Sequence, residues 1–128
     1  MSFQLDTSIA IPIRDGDIGV LEKLERLTGA VAISVIARVE LEGGLHGDDP
    51  ERSLRQSRLD AMLAVISVLP FDGRCAAGYR AIVESTGFSR RKVSDRMIAA
   101  QAIVAGATLI TANAADFQDI PGLDRLVW

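Results

Sequence analysis

Five short apolar runs, Phe3–Leu5, Val31–Ile33, Ser67–Leu69, Thr108–Ile110 and Arg125–Val127, are separated by longer stretches whose apolar residues return at helical intervals. Short β-rich runs alternating with helical patterns predict βαβ units and a mainly parallel sheet. Between the first two runs, Val20, Leu21, Leu24 and Leu27 predict one amphipathic helix, with Gly29 as its terminator. The stretch from Pro50 to Ile66 opens on Asp49-Pro50, an N-cap followed by proline at the first helical position. There Leu54, Ala61, Met62 and Val65 form one stripe, and Leu59, Leu63 and Ile66 widen it. That is more apolar surface than one sheet contact needs, so the helix is either buried between neighbours or an interface with another protein. A further helix is predicted from Asp72, as N-cap, to Thr86, with Gly87 ending it and a basic loop running on to Lys92.

Composition narrows this picture only at a few points. With 128 residues, 48% of them hydrophobic and 24% charged, the chain is expected to fold as one domain over residues 1–128, without repeats or a flexible linker. Neither a secretory leader nor an apolar stretch of membrane-spanning length is evident, so a cytoplasmic protein is expected. The single cysteine, Cys75, has no intramolecular partner and reads as a small helical core residue. A net charge of -3 argues against coating nucleic acid by bulk electrostatics. Any nucleic-acid contact must be local, and Arg90-Arg91-Lys92 is the candidate; a solvated loop is the competing account.

The acids carry the candidate chemistry. Asp6 ends the first run, where open α/β sheets bind their ligands. Asp95 heads the stripe Asp95, Ile98, Ala99, Ala102 and Gly106, so a carboxylate is aimed at an apolar, sheet-facing surface. An ion buried there calls for a proton, an ion pair or a metal, although Ser94 and Asp95 could also cap the helix. Glu40 and Glu42 both edge the stripe Val35, Ile36, Val39 and Gly43, and periodicity does not choose between them; an i, i+4 pairing of Glu42 with Arg38 favours Glu40 as the acid without an intrahelical partner. Asp116 follows Asn113 by three residues, which alone could be a capping-box-like start, and Asp6 could cap the turn Thr7-Ser8-Ile9.

Taken in order, Leu5-Asp6-Thr7-Ser8, Ile33-Ser34-Val35-Ile36-Ala37-Arg38-Val39-Glu40-Leu41, Leu69-Pro70-Phe71-Asp72, Asp95-Arg96-Met97-Ile98-Ala99-Ala100 and Thr111-Ala112-Asn113-Ala114-Ala115-Asp116-Phe117 resemble the PIN-domain ribonucleases of the VapC toxin type. The likeness spans essentially the whole chain, and its specificity lies in the ordered set. It implies a PIN-like three-layer α/β sandwich with a central mainly parallel sheet. It also implies that Asp6, Glu40, Asp95 and Asp116 form an acidic catalytic site, with Asp6, Asp95 and Asp116 holding Mg2+ or Mn2+. Ser8, Thr111 and Asn113 would be the supporting polar groups, and Glu40 is selected over Glu42. The implied activity is endoribonuclease, held in check by a cognate antitoxin, in a homodimer. Two positions depart from the pattern: Ser8 stands where many relatives carry asparagine, and Val93 where many carry a further aspartate, which bears on the number of metal ions.

The implied chemistry suits the residues, since Mg2+ and Mn2+ prefer oxygen ligands and no histidine is required. The lone His46 reads as a solvated loop residue. Two other functional classes compete. A phosphoacceptor receiver module also sets acids at strand ends but needs a lysine after a late strand, and Thr111-Ala112-Asn113 supplies none. A catalytically inactive PIN-like module would bind RNA or protein without metal and without cleavage.

Overall fold

The computed structural model describes residues 1–46 and 50–128. Its strands are β1 (Ser2–Leu5), β2 (Ala30–Ser34), β3 (Ser67–Leu69), β4 (Thr108–Thr111) and β5 (Arg125–Val127), each containing one of the predicted runs. They form one sheet in the order β3-β2-β1-β4-β5, and every pairing is parallel. The helices are α1 (Thr7–Asp15), α2 (Ile18–Glu25), α3 (Val35–Gly43), α4 (Arg52–Val65), α5 (Gly73–Thr86) and α6 (Val93–Ala105).

From β1 the chain steps outward to β2 and β3, then crosses back over β2 and β1 to β4 and continues outward on the other side to β5. Right-handed crossovers put α1 to α4 on one face and α5 with α6 on the other, and α1 does pack on α2, α3 and α4 while α5 packs on α6. The strand order reverses between β1 and β4, and the carboxyl ends at such a reversal are where open α/β sheets bind their ligands. Asp6 follows β1 there, and its backbone N–H still donates to the carbonyl of Ile110 on β4 (3.1 Å).

The core explains why α6 carries so many alanines. Leu5, Ile33, Leu109 and Ile110 of the three central strands are fully buried, and Ile98, Ala99 and Ala102 of α6 join the same cluster. On the side away from the sheet, a Cβ on Gly78 of α5 would meet Ala100 Cβ at 3.5 Å and Val104 Cγ2 at 3.3 Å. Small residues on both helices are what permit this approach. The sequence predicted one buried stripe on α6, yet Arg96, Ala100 and Gln101 are buried as well, because a helix held between a sheet and another helix has little solvent-facing surface left.

Several boundaries differ from expectation. The helix predicted from Val20, Leu21, Leu24 and Leu27 is α2, which ends at Glu25 with Arg26 as its C-cap, and an unpredicted helix precedes it: α1, with Pro12 inside it, capped by Gly16 (φ 80). Gly29 does not terminate a helix. It leads into β2 at φ 147, where a Cβ would lie 2.2 Å from the carbonyl oxygen of Met1. Helix α4 begins at Arg52, so Pro50 precedes it rather than opening it, and the expected cap Asp49 lies outside the described residues, as does the end of the His46 loop. On α4, Leu59, Met62 and Ile66 face the core, whereas Leu54 and Val65 of the predicted stripe are 48% and 82% exposed. On α3 the buried positions are Ala37 and Leu41, and Val39 faces solvent. Asp72 and Gly87 bound α5 as predicted, with the Asp72 side chain accepting from the Cys75 N–H at 3.0 Å. Cys75 is buried and free. Among the described residues no helix is long and apolar enough to cross a membrane.

Candidate active site

Asp6 occupies the N-cap position of α1, yet its side chain makes no cap. Its two carboxylate oxygens take hydrogen bonds from two hydroxyls instead: Ser8 Oγ donates to Oδ1 at 2.5 Å and Thr111 Oγ1 to Oδ2 at 2.6 Å. Each hydroxyl is itself oriented by a backbone donor, Ala112 N–H to Ser8 Oγ (3.0 Å) and Asn113 N–H to Thr111 Oγ1 (2.9 Å). Two amides thus fix two hydroxyls, and the hydroxyl protons fix both oxygens of one carboxylate. The ends of β1 and β4 are stapled together by this relay across 105 residues of chain. Burial nevertheless outweighs these bonds and holds the Asp6 carboxyl above the usual carboxylate range; the hydroxyls, and the nearby N–H groups of Ile9 and Ser8, pull the other way.

Asp95 lies in the first turn of α6, which starts at Val93; neither Ser94 nor Asp95 caps it. Its pKa is pushed up to about 6, first by burial and then by the charges of Asp116, Glu40 and Asp6, against which Lys92 acts weakly. The other three sequence-selected acids, from three separate segments, therefore all act through space on Asp95. Like charges repel at such range, and a hard cation is the usual remedy.

Glu40 is an exposed side chain on α3, and Thr7 Oγ1, at the start of α1, donates to its Oε1 at 2.8 Å. Glu42 instead pairs with Arg38 across one helical turn at 3.8 Å, the separation of roles argued from the sequence. Asp116 sits in the 3-10 turn Ala114–Phe117, whose side chains make no cap, and its N–H donates to the carbonyl of Asn113 at 3.1 Å. Asn113 itself helps only through its backbone N–H; among the described residues its side-chain amide makes no hydrogen bond to the acids.

The donor set is carboxylate and hydroxyl oxygen throughout, the chemistry of Mg2+ or Mn2+ and not of a soft metal. Among the described residues no three His, Cys, Asp or Glu side chains stand close enough to hold a metal ion by themselves. The three-carboxylate ligand set expected from the sequence is thus not assembled as a direct cage. Mg2+ keeps several waters and takes one or two carboxylates, so these residues fit an ion of that kind bound partly through its own waters.

The basic cluster is divided. Lys92 reaches Asp119 at 3.8 Å, while Arg90 and Arg91 are exposed and have no carboxylate partner among the described residues. Two contributors went unnoticed in the sequence. Thr7 lay within the quoted Leu5-Asp6-Thr7-Ser8 motif, but nothing along the chain links it to Glu40. Arg96, 3% exposed, donates from Nη1 to the carbonyl of Gly87 at 2.7 Å and has Nη2 at 3.6 Å from Asp119; an arginine in a stripe of alanines was the available signal.

Comparison with known proteins agrees with this geometry. Residues 4–123 match the PIN domain. The chain is 32% identical over 134 residues to Ribonuclease VapC2 of Rickettsia felis, covering 100% of this chain and 98% of the relative. It is 30% identical over 132 residues to the tRNA(fMet)-specific endonuclease VapC of Shigella flexneri, again covering 100% and 98%. Among solved structures, the VapBC2 complex of Rickettsia felis bound to a promoter DNA fragment superposes with a TM-score of 0.86 at 29% identity, over 100% of this chain and 99% of that one. By domain match, sequence and fold alike, the chain belongs to the PIN-domain family, among its VapC ribonucleases.

Proposed function

We propose that this chain is a Mg2+- or Mn2+-dependent endoribonuclease, the toxin of a toxin-antitoxin pair, acting in the cytoplasm as a homodimer and silenced by a cognate antitoxin. The observation that supports the reading is the convergence of Asp116, Glu40 and Asp6 on Asp95, whose carboxyl their charges and its burial hold raised. The names of its relatives, a ribonuclease and a tRNA-specific endonuclease, supply the substrate class, and the structural relatives solved as VapBC complexes supply the partner.

Asp6, Asp95 and Asp116 would hold the cation, and Glu40 completes the acidic site. When bound, Mg2+ or Mn2+ supplies a water of lowered pKa and offsets the negative charge that grows on the attacked phosphate. The residues supply orientation. Ser8 and Thr111 hold both oxygens of Asp6, so its remaining lone pairs point in fixed directions. Thr7 holds one oxygen of Glu40 and leaves the other available to position a water or accept its proton. Arg90 and Arg91, exposed and without carboxylate partners among the described residues, are assigned to RNA phosphates.

The test is to mix the purified chain with cellular RNA and Mg2+ or Mn2+. Cleavage is expected, and it should vanish in excess chelator and in Asp6→Asn and Asp95→Asn. Cleavage that survives any of these removes the mechanism; metal-independent RNA binding without cleavage would instead identify a binding-only module.

A further inference from the structure

Phe88 is 70% exposed, whereas the other five of the six aromatic side chains are buried or half-buried. A lone exposed apolar residue is ordinary on a protein surface. Its setting is not, because the loop that carries it is pinned on both sides. Gly87 N–H donates to the carbonyl of Val83 at 2.8 Å, the Gly87 carbonyl accepts from the buried Arg96 guanidinium at 2.7 Å, and Lys92 N–H closes on the carbonyl of Ser89 at 3.2 Å. Asp119 braces the far side through both Lys92 and Arg96. A phenyl ring on a loop this constrained is presented to solvent, with little freedom to fold back onto apolar surface.

The neighbours of the ring identify the ligand. Arg90 and Arg91, two and three residues on, are exposed and without carboxylate partners among the described residues. Arg96, which fixes the loop, directly follows Asp95 on α6, so one helix carries both an acid of the site and the anchor of the loop. A rigid aromatic face beside free guanidinium groups is how proteins hold an unpaired nucleotide: the base stacks on the ring and the phosphates meet the cations. An acidic peptide would suit the arginines but has no use for a flat apolar ring, and an apolar protein surface would strand the arginines.

We propose that Phe88 is a stacking platform for an unpaired base of the RNA substrate, with Arg90 and Arg91 holding the flanking backbone. The inference rests on the ribonuclease reading above and deepens it. The experiment is steady-state cleavage of a short labelled single-stranded RNA in Mn2+ by the full chain and by Phe88→Ala, Phe88→Leu and Phe88→Trp. KM should rise roughly five- to a hundredfold in the alanine and leucine variants, the range that stacking energies correspond to, with kcat nearly unchanged and the tryptophan variant close to the parent. Single abasic positions stepped along the RNA should include one that raises KM for the parent and leaves the alanine variant unaffected. A leucine variant that matches the parent, or an alanine variant that changes the oligomeric mass in solution while KM stays the same, overturns the assignment and makes Phe88 a protein contact. A parent chain that does not cleave RNA at all defeats the ribonuclease reading and this inference together, whereas a cleaving parent with an equally active alanine variant defeats this inference alone.

Discussion

Asp72 and Asp95 stand at the starts of successive helices, and the fold treats them oppositely. Asp72 is exposed, accepts from the Cys75 N–H, and that backbone bond holds its carboxyl below the usual range. Asp95 caps nothing, is partly buried, faces three other acids and has its pKa raised to about 6. An acid whose charge stabilises its own helix needs no further explanation. One whose charge opposes the fold is a candidate functional group, since perturbed carboxyls cluster at functional sites.

The contrast can be broken most forcefully by substitution. Asp95→Asn should lower RNA cleavage by about a hundredfold or more and, without divalent cations, raise Tm by a few degrees as the repulsion is relieved; Asp72→Ala should lower Tm by a few degrees and leave cleavage intact. Cleavage assays with thermal melts on both variants decide the matter, and the idea fails if the two fall together.

Metal addition probes the same difference. At about a hundredfold over its Kd a ligand stabilises by ~2.7 kcal/mol, so Mn2+ should raise Tm by several degrees in the parent and in Asp72→Ala, but far less in Asp95→Asn. Equal shifts in all three would place the ion elsewhere.

Titration gives the two acids opposite slopes. Between pH 3.8, the ordinary value, and about 6, folded Asp95 retains a proton that the unfolded chain has lost. Its contribution to stability therefore rises as pH falls through that window. Asp72, with a depressed folded pKa, contributes stability above its unfolded pKa and loses it as pH drops through the folded one. In chelator, the Tm of the parent relative to Asp95→Asn should climb from about pH 7 to about pH 5; a flat difference would contradict the raised pKa.

The smallest effect separates the two glutamates of α3. The Arg38–Glu42 pair is half exposed, so Glu42→Ala should change stability by no more than about 0.5 kcal/mol and leave cleavage alone. Glu40→Ala should impair cleavage, and indistinguishable rates for the two variants would remove Glu40 from the site.

Much of this was legible along the chain. All five strands were visible because β-rich runs between helical patterns are a local signal, and the cap at Asp72 with the stop at Gly87 needs only neighbouring residues. Helix α1 was not expected: where the sequence suggested only a turn capped by Asp6, the chain runs on as a helix from Thr7 to Asp15 with Pro12 inside it. The apolar face of α4 was misplaced because Leu54, Met62 and Val65 satisfy helical spacing as well as Leu59, Met62 and Ile66 do, and periodicity gives a direction only relative to the helix's own axis.

The sequence by itself determined the order of elements, the parallel sheet and the presence of acids near strand and helix ends, since each depends on residues a few positions apart. Only the tertiary structure decided that Asp6 is gripped by Ser8 and Thr111 instead of capping α1, that Lys92 is turned toward Asp119, that Arg96 pins the loop of Phe88, and that three distant carboxylates act on Asp95. Those outcomes depend on Coulomb forces and hydrogen bonds between groups separated by up to 105 residues. Such forces depend on distances in space, which the strand order sets and no stretch of sequence contains.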